Sequence, residues 1–152
     1  PRGGEGKNVF KENTKIEYGK AEILQEGNDI SILAIGKMVD RAIDVCNKLK
    51  EDNINAEVIN IRFLKPLDKE TIINSVKKTK NCITIEDNIL LGGLASNVKE
   101  LLLDNKLDVN IKTFGYPNKF IKHGSVENIE KKYGLDTESI YNYVINNFKK
   151  GS

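Results

Sequence analysis

The chain has 152 residues, with 24 Lys and Arg set against 22 Asp and Glu for a net charge of +2. That length suits one domain able to bury a core without metals or disulfides, and the lysines are interleaved with acidic residues, which argues against nucleic acid as the main partner. No apolar run approaches the roughly twenty residues needed to cross a bilayer, and Pro1-Arg-Gly-Gly-Glu-Gly6 lacks the apolar core of a signal peptide, so the chain reads as soluble, cytoplasmic and without membrane contact.

Residues 1–15 are rich in Gly, Lys, Glu and Asn around a single apolar pair, Val9-Phe10, and read as a linker or docking segment. The chain opens on Pro-Arg-Gly without an initiator Met and closes on Gly151-Ser152, the pattern of an excised fragment with a cloning scar at 151–152. The folded domain is expected over 16–150. Within it, strand-length apolar runs at Ala21–Glu26, Ile30–Ile35, Glu57–Ile61, Cys82–Glu86 and Val109–Phe114 alternate with helix-period segments. The first helix, about 38–50, aligns Met38, Ala42, Val45, Cys46 and Leu49 on one face. The second starts at Pro66-Leu-Asp68 with Asp68 as cap and Ile72, Ile73 and Val76 inward. The third, about 93–104, carries Leu94, Ala95, Val98, Leu101 and Leu102.

Strands separated by helical crossovers run parallel, with helices on both faces of the sheet. The fold expected is therefore α/β, a three-layer sandwich around a five-stranded, mostly parallel sheet. The run Ala21–Glu26 reaches the next strand through the tight Gly27-Asn28 turn and is expected to pair antiparallel with it as an edge hairpin. A loop with Pro117, a short helix from Ser125 to Tyr133 and an amphipathic helix with Ile140, Val144, Ile145 and Phe148 complete the domain. Cys46 and Cys82 lie in different elements and outside any CxxC pair, so they read as buried thiols of a reducing cytosol. The pairs Lys77-Lys78, Lys131-Lys132 and Lys149-Lys150 fall near helix ends, where cations complement the helix dipole.

The strongest functional candidate is Arg62, in Arg62-Phe-Leu-Lys-Pro-Leu-Asp68 directly after Val58-Ile-Asn-Ile61. Ligands of open α/β sheets collect beyond the carboxyl ends of the strands, and a planar guanidinium fork suits phosphate or carboxylate better than an ammonium does. Arg2 is a second basic candidate, in a glycine-rich segment that lets the backbone approach a ligand, although a solvated linker charge is an equal reading. Gly92-Gly93 allows a close backbone approach, either to packed chain, the favoured use, or to a phosphate at a helix N-terminus; the GxGxxG spacing of a dinucleotide site is absent. Glu86 and Asp87 at a strand end suit acid–base or metal chemistry, but capping of backbone is the commoner fate of such carboxylates. His123, the one histidine, reads as a loop residue, and Ser125 as a helix N-cap rather than a nucleophile. No catalytic set is evident.

The strings Pro1-Arg-Gly, Ala34-Ile-Gly36, Ile61-Arg-Phe-Leu-Lys-Pro-Leu-Asp68, Thr84-Ile-Glu86-Asp-Asn88, Gly92-Gly-Leu-Ala-Ser96, Gly115-Tyr-Pro-Asn-Lys-Phe-Ile121, His123-Gly and Lys132-Tyr-Gly-Leu-Asp136 resemble, in order, the C-terminal, transketolase-like domain of the 1-deoxy-D-xylulose 5-phosphate synthases. The resemblance implies a thiamin diphosphate and Mg2+-dependent transferase that decarboxylates pyruvate and joins the two-carbon unit to glyceraldehyde 3-phosphate, feeding isoprenoid and thiamin synthesis. It further implies that cofactor, metal and proton-transfer residues lie in upstream domains of the same chain, so the isolated domain would be inactive and bind no cofactor. The domain's own share would be homodimer contact and the acceptor's phosphate, with Arg62 and Arg2 at the matching positions. The 2-oxo acid dehydrogenase beta subunits share a looser version of these strings and form the alternative family. A free-standing small-anion-binding module is the alternative from another class.

Overall fold

The structure is a computed structural model describing residues 15–89, 93–117 and 124–148, without the side chains of 88 and 89. Its elements are β1 (Glu22–Gln25), β2 (Ile30–Ala34), α1 (Met38–Glu51), β3 (Ala56–Asn60), α2 (Lys69–Thr79), β4 (Asn81–Ile89), α3 (Leu94–Asp104), β5 (Asn110–Tyr116), α4 (Val126–Lys132) and α5 (Thr137–Asn147). The sheet has five strands in the order β1-β3-β2-β4-β5. All neighbours are parallel except β1, which runs antiparallel to β3.

Crossover direction decides which face each helix covers. The chain moves from β2 to β3 in one direction across the sheet, then back past β2 to β4 and on to β5. Right-handed crossovers therefore put α1 on one face and α2 and α3 on the other. Two apolar cores result. Met38, Ala42, Val45, Cys46 and Leu49 of α1 pack with Ile140 and Val144 of α5 over Ile32, Val58 and Ile85. Ile72 and Val76 of α2 pack with Leu94, Val98 and Leu101 of α3 over Leu33, Ile59 and Cys82. Every residue of β2 and β3 is buried, so these strands are mainly apolar on both faces, and their polar residues Ser31, Glu57 and Asn60 need partners within the fold. Ser31 meets that condition as a polar residue because its hydroxyl lies 2.6 Å from that of Ser75 and 2.8 Å from that of Thr79, both on α2.

The expected β1–β2 hairpin does not form; β1 takes β3 as its partner. The reason is that β2 is already hydrogen-bonded to β3 on one side and β4 on the other, so the free edge of the sheet belongs to β3. The link from β1 to β2 crosses the start of β3 instead. The Asp29 N–H donates to the Asn55 carbonyl at 2.9 Å, and the Asn55 N–H donates to the Asp29 carboxylate at 2.7 Å. Gly27 sits so close to that strand start that a Cβ there would meet the Ala56 backbone at 2.5 Å. Glycine is needed at this position for room.

Helix starts follow the capping chemistry expected of them. Asp68 caps α2 by accepting from the Thr71 N–H, Ser125 caps α4 by accepting from the Asn128 N–H, and Asp136 caps α5 by accepting from the Ser139 N–H. On α5 the inward residues are Ile140 and Val144, while Ile145 is exposed, since the helix period turns it away from α1. Both cysteines are buried and free, and burial pushes the Cys82 thiol up to about 12. Among the described residues, no helix is long and apolar enough to cross a membrane.

Candidate functional site

The carboxyl ends of β2, β3 and β4 lie along one edge of the sheet, beside the amino end of the antiparallel β1. Arg62 stands just past the end of β3. The ladder extends one residue beyond that strand, with the Ile61 N–H donating to the Ala34 carbonyl at 2.9 Å. The chain then doubles back through a tight three-residue turn in which the Phe63 N–H donates to the Ile61 carbonyl at 2.6 Å and Arg62 takes φ 63°. A positive φ at a residue with a side chain is costly, and such strain gathers where position matters more than stability.

The next residues are tied down from the β1 side. The Asp68 carboxylate accepts from the Ala21 N–H at 2.8 Å as well as from the Thr71 hydroxyl at 2.7 Å. Burial alone would raise its pKa, but these hydrogen bonds outweigh burial and hold the carboxyl below its usual value. Gly19 lies against Pro66, where a Cβ would meet the proline ring at 2.9 Å. The stretch before β1 and the Arg62–Asp68 loop thus form one packed unit at the edge of the sheet.

The Arg62 guanidinium pairs with Glu22, the first residue of β1, through Nη2 and Oε1, with side chains 8% and 9% exposed. The pair is only half closed: Arg62 Nε and Glu22 Oε2 are buried without hydrogen-bond partners. Glu22 carried no role in the sequence reading. The available signal was its parity, since a period of two puts Glu22 on the same side as Leu24, which packs on the core, and an inward carboxylate needs a cation.

The other predicted anion site is arranged differently. Glu86, one residue past the last pair of β4 with β2, is fully buried, and its two oxygens accept from the Leu94 and Ala95 N–H groups at 2.8 Å each. The N-terminus of α3 is therefore occupied by a carboxylate of the same chain. Burial raises the Glu86 pKa, against the two backbone hydrogen bonds that lower it, with Asp87 adding a smaller upward push. Asp87 pairs with Lys37 at 3.2 Å, across the carboxyl ends of β2 and β4. These are the strands between which the crossover direction reverses, the usual ligand crevice of such sheets. Tyr116 at the end of β5 borders that crevice, and burial first, then Glu130 and Asp87, raises its pKa.

Arg2, Gly92 and His123 lie outside the described residues. Among the described residues, no group of three or more His, Cys, Asp or Glu is placed to hold a metal ion. The strand-end carboxylates do not fit a magnesium diphosphate site, because Glu86 is spent on backbone, Asp87 on Lys37 and Glu22 on Arg62.

Comparison with known proteins decides the family. The model of the transketolase C-terminal domain matches residues 19–140. The chain belongs to the transketolase C-terminal domain family. Over 150 residues it is 41% identical to the 1-deoxy-D-xylulose-5-phosphate synthase of Caldanaerobacter subterraneus subsp. tengcongensis, covering 99% of this chain and 24% of that protein. The synthase of Clostridium perfringens strain ATCC 13124 is 43% identical over 146 residues, covering 95% of this chain and 24% of that protein. The chain thus spans about a quarter of the length of the curated relatives it matches. Among solved structures, a split-gene transketolase described as an inactive beta4 tetramer superposes with a TM-score of 0.84 at 28% identity, covering 93% of this chain and 46% of that one. A Pichia stipitis transketolase mutant, R525L, shares the fold alone, with a TM-score of 0.60 at 19% identity over 84% of this chain and 18% of that one. This transketolase C-terminal domain accordingly has the five-stranded mixed sheet expected of it.

Proposed function

We propose that this transketolase C-terminal domain is the last part of a cytoplasmic, thiamin diphosphate-dependent 1-deoxy-D-xylulose 5-phosphate synthase, which joins pyruvate to glyceraldehyde 3-phosphate with loss of CO2. In this reading upstream domains of the same chain hold thiamin diphosphate and Mg2+. The domain supplies homodimer contacts and binds the acceptor's phosphate through Arg62 and Arg2. The observation that carries the phosphate role is the Arg62 guanidinium at the carboxyl end of β3, set by a strained turn and only half satisfied by its own chain. Similarity to the named synthases along nearly the whole chain supports the parent activity.

The physical task of such a cation is orientation. Phosphate is remote from the aldehyde carbon that reacts, so binding energy gained at Arg62 holds that carbon in line for attack instead of changing the chemistry itself. The bond is charge-assisted, and a fork that offers two parallel N–H groups also fixes direction.

The test is steady-state turnover of the full-length enzyme carrying Arg62→Ala. The expected outcome is a KM for glyceraldehyde 3-phosphate raised on the order of thirtyfold or more, from about 2 to 3 kcal/mol of lost charge-assisted contact, with little change in the KM for pyruvate. Equal changes for both substrates would sink the anchor reading. Acceleration of pyruvate decarboxylation by a lipoyl acceptor and not by the sugar phosphate would instead favour a 2-oxo acid dehydrogenase.

A further inference from the structure

We infer that Glu22 is the positioning residue of Arg62, an assignment that rests on the phosphate-anchor reading above. Glu22 opens β1 and stands opposite Asn60 in the antiparallel register, two residues before Arg62 along β3 and its extension. From that place its carboxylate reaches Nη2 of the guanidinium, and both side chains are about nine-tenths buried. Among the described residues it is the hydrogen-bond partner that fixes where the guanidinium lies.

Two features separate this pair from simple neutralisation of a buried charge. First, the arginine is the central residue of a tight turn, at φ 63°, so its long side chain leaves the backbone in a direction the strand does not set, and something else must aim it. Second, the pair is held by one corner. A carboxylate and a guanidinium placed only to neutralise each other favour two parallel N–H···O bonds, whereas here Nε and Oε2 are both left without partners. One bond sets the plane of the guanidinium and leaves its Nε–H without a partner among the described residues. An incoming phosphate then meets a cation already oriented, and the ordering of a flexible side chain is not charged against its binding. The geometry of β1 is what makes this possible. Because β1 runs antiparallel at the edge, its amino end lies beside the carboxyl end of β3, which no parallel strand could offer.

The experiment separates geometry from charge in the full-length enzyme, with pyruvate saturating and either glyceraldehyde 3-phosphate or unphosphorylated glyceraldehyde as acceptor. Glu22→Asp keeps the charge but withdraws the oxygen by one methylene. It is expected to raise the KM for the phosphorylated acceptor on the order of tenfold, the loss of one charge-assisted bond, and to spare both kcat and the KM for glyceraldehyde. Glu22→Gln keeps an acceptor oxygen at the same reach without the charge and is expected to rescue the phosphorylated acceptor. A lower KM with Glu22→Gln beside a normal Glu22→Asp would mean that the carboxylate competes with phosphate, and would overturn the assignment. So would variants that shift both acceptors alike, or neither, since those are the marks of a purely structural pair. Arg62→Ala, run in parallel, tells the two readings apart. If it leaves the preference for the phosphorylated acceptor intact, the anchor itself fails; if it abolishes that preference while Glu22→Asp leaves it unchanged, only the role of Glu22 fails.

Discussion

Two carboxylates face backbone or cation at the same end of the sheet, and the chain treats them in opposite ways. Glu86, just past the paired part of β4 beside β2, has both oxygens taken by the first N–H groups of α3. Glu22, at the start of β1, uses one oxygen on Arg62 and leaves the other, with Arg62 Nε, unpartnered. The helix N-terminus that looks like an anion site from sequence is thus closed by an anion of its own. The arginine that looks neutralised in the structure keeps one donor, its Nε–H, without a partner among the described residues. The comparison teaches that a site is recognised by what its donors still lack, not by the residue types that surround it.

The largest expected effect tests the closed side. Glu86→Ala strips two buried N–H groups of their acceptor and empties a fully buried volume, which should cost about 4 kcal/mol of stability. A denaturant titration with an unchanged m-value checks it, and the acceptor KM ratio of surviving folded enzyme should not move. A change in that ratio would mean that the Glu86 turn also takes part in acceptor binding.

On the open side, Arg62→Ala should destabilise the domain by about 3 kcal/mol, because Glu22 is left buried without its cation. Removing both partners, as Glu22→Leu with Arg62→Met, should restore most of that stability while acceptor discrimination stays lost. Chemical denaturation beside KM measurements reads both. If the double variant remained as unstable as Arg62→Ala, the pair would be a structural bond of the edge strand and little else.

A smaller effect separates the two kinds of carboxylate cap by pH. Asp68 and Asp136 are held below their ordinary value of 3.8 because hydrogen bonds to Ala21 and Thr71, and to Ser139, outweigh burial. Their contribution is full above that value and is lost as pH falls through the lower folded pKa, where the unfolded chain binds more protons. Glu86 has the opposite sign. Burial raises it above 4.5, so the folded state binds the proton more tightly, and the cost of ionising it appears as pH rises through the unfolded value towards the folded one. Denaturant midpoints from about pH 3 to 7 should therefore lose part of their acid limb in Asp68→Asn and part of their decline above about pH 4.5 in Glu86→Gln. Identical pH profiles for the two variants would count against the assigned shifts.

How much of this was readable beforehand follows from the same contrast. Local signals were strong: Asp68 as cap of α2, Ser125 as cap of α4, and the inward faces of α1 and α3 all rest on short-range spacing and appear as expected. Pairing was harder to read. The Gly27-Asn28 turn suggested a hairpin, and nothing local reveals that β2 will be enclosed by β3 and β4, so that β1 must reach past it. Glu22 went unnoticed for that reason. Its partner is forty residues away, and the two meet only because the β1 register places Glu22 opposite Asn60.

The smallest prediction asks whether an unpartnered buried polar atom always points to a ligand. The Thr84 hydroxyl is fully buried on β4 and, like Arg62 Nε, has no partner. Its setting differs, because Thr84 sits mid-strand between Leu33 and Thr113, two positions before Glu86 and away from the strand end where a ligand would arrive. The hydroxyl there is a cost without a return, so Thr84→Val, nearly equal in shape, should raise stability by about 1 kcal/mol and leave the KM for either acceptor unchanged. A loss of stability would show that the hydroxyl is satisfied in solution. A change in acceptor KM would show that the edge where Arg62 stands is coupled to the interior of the sheet. With neither, a missing partner has functional weight at the open end of the strands and none within them.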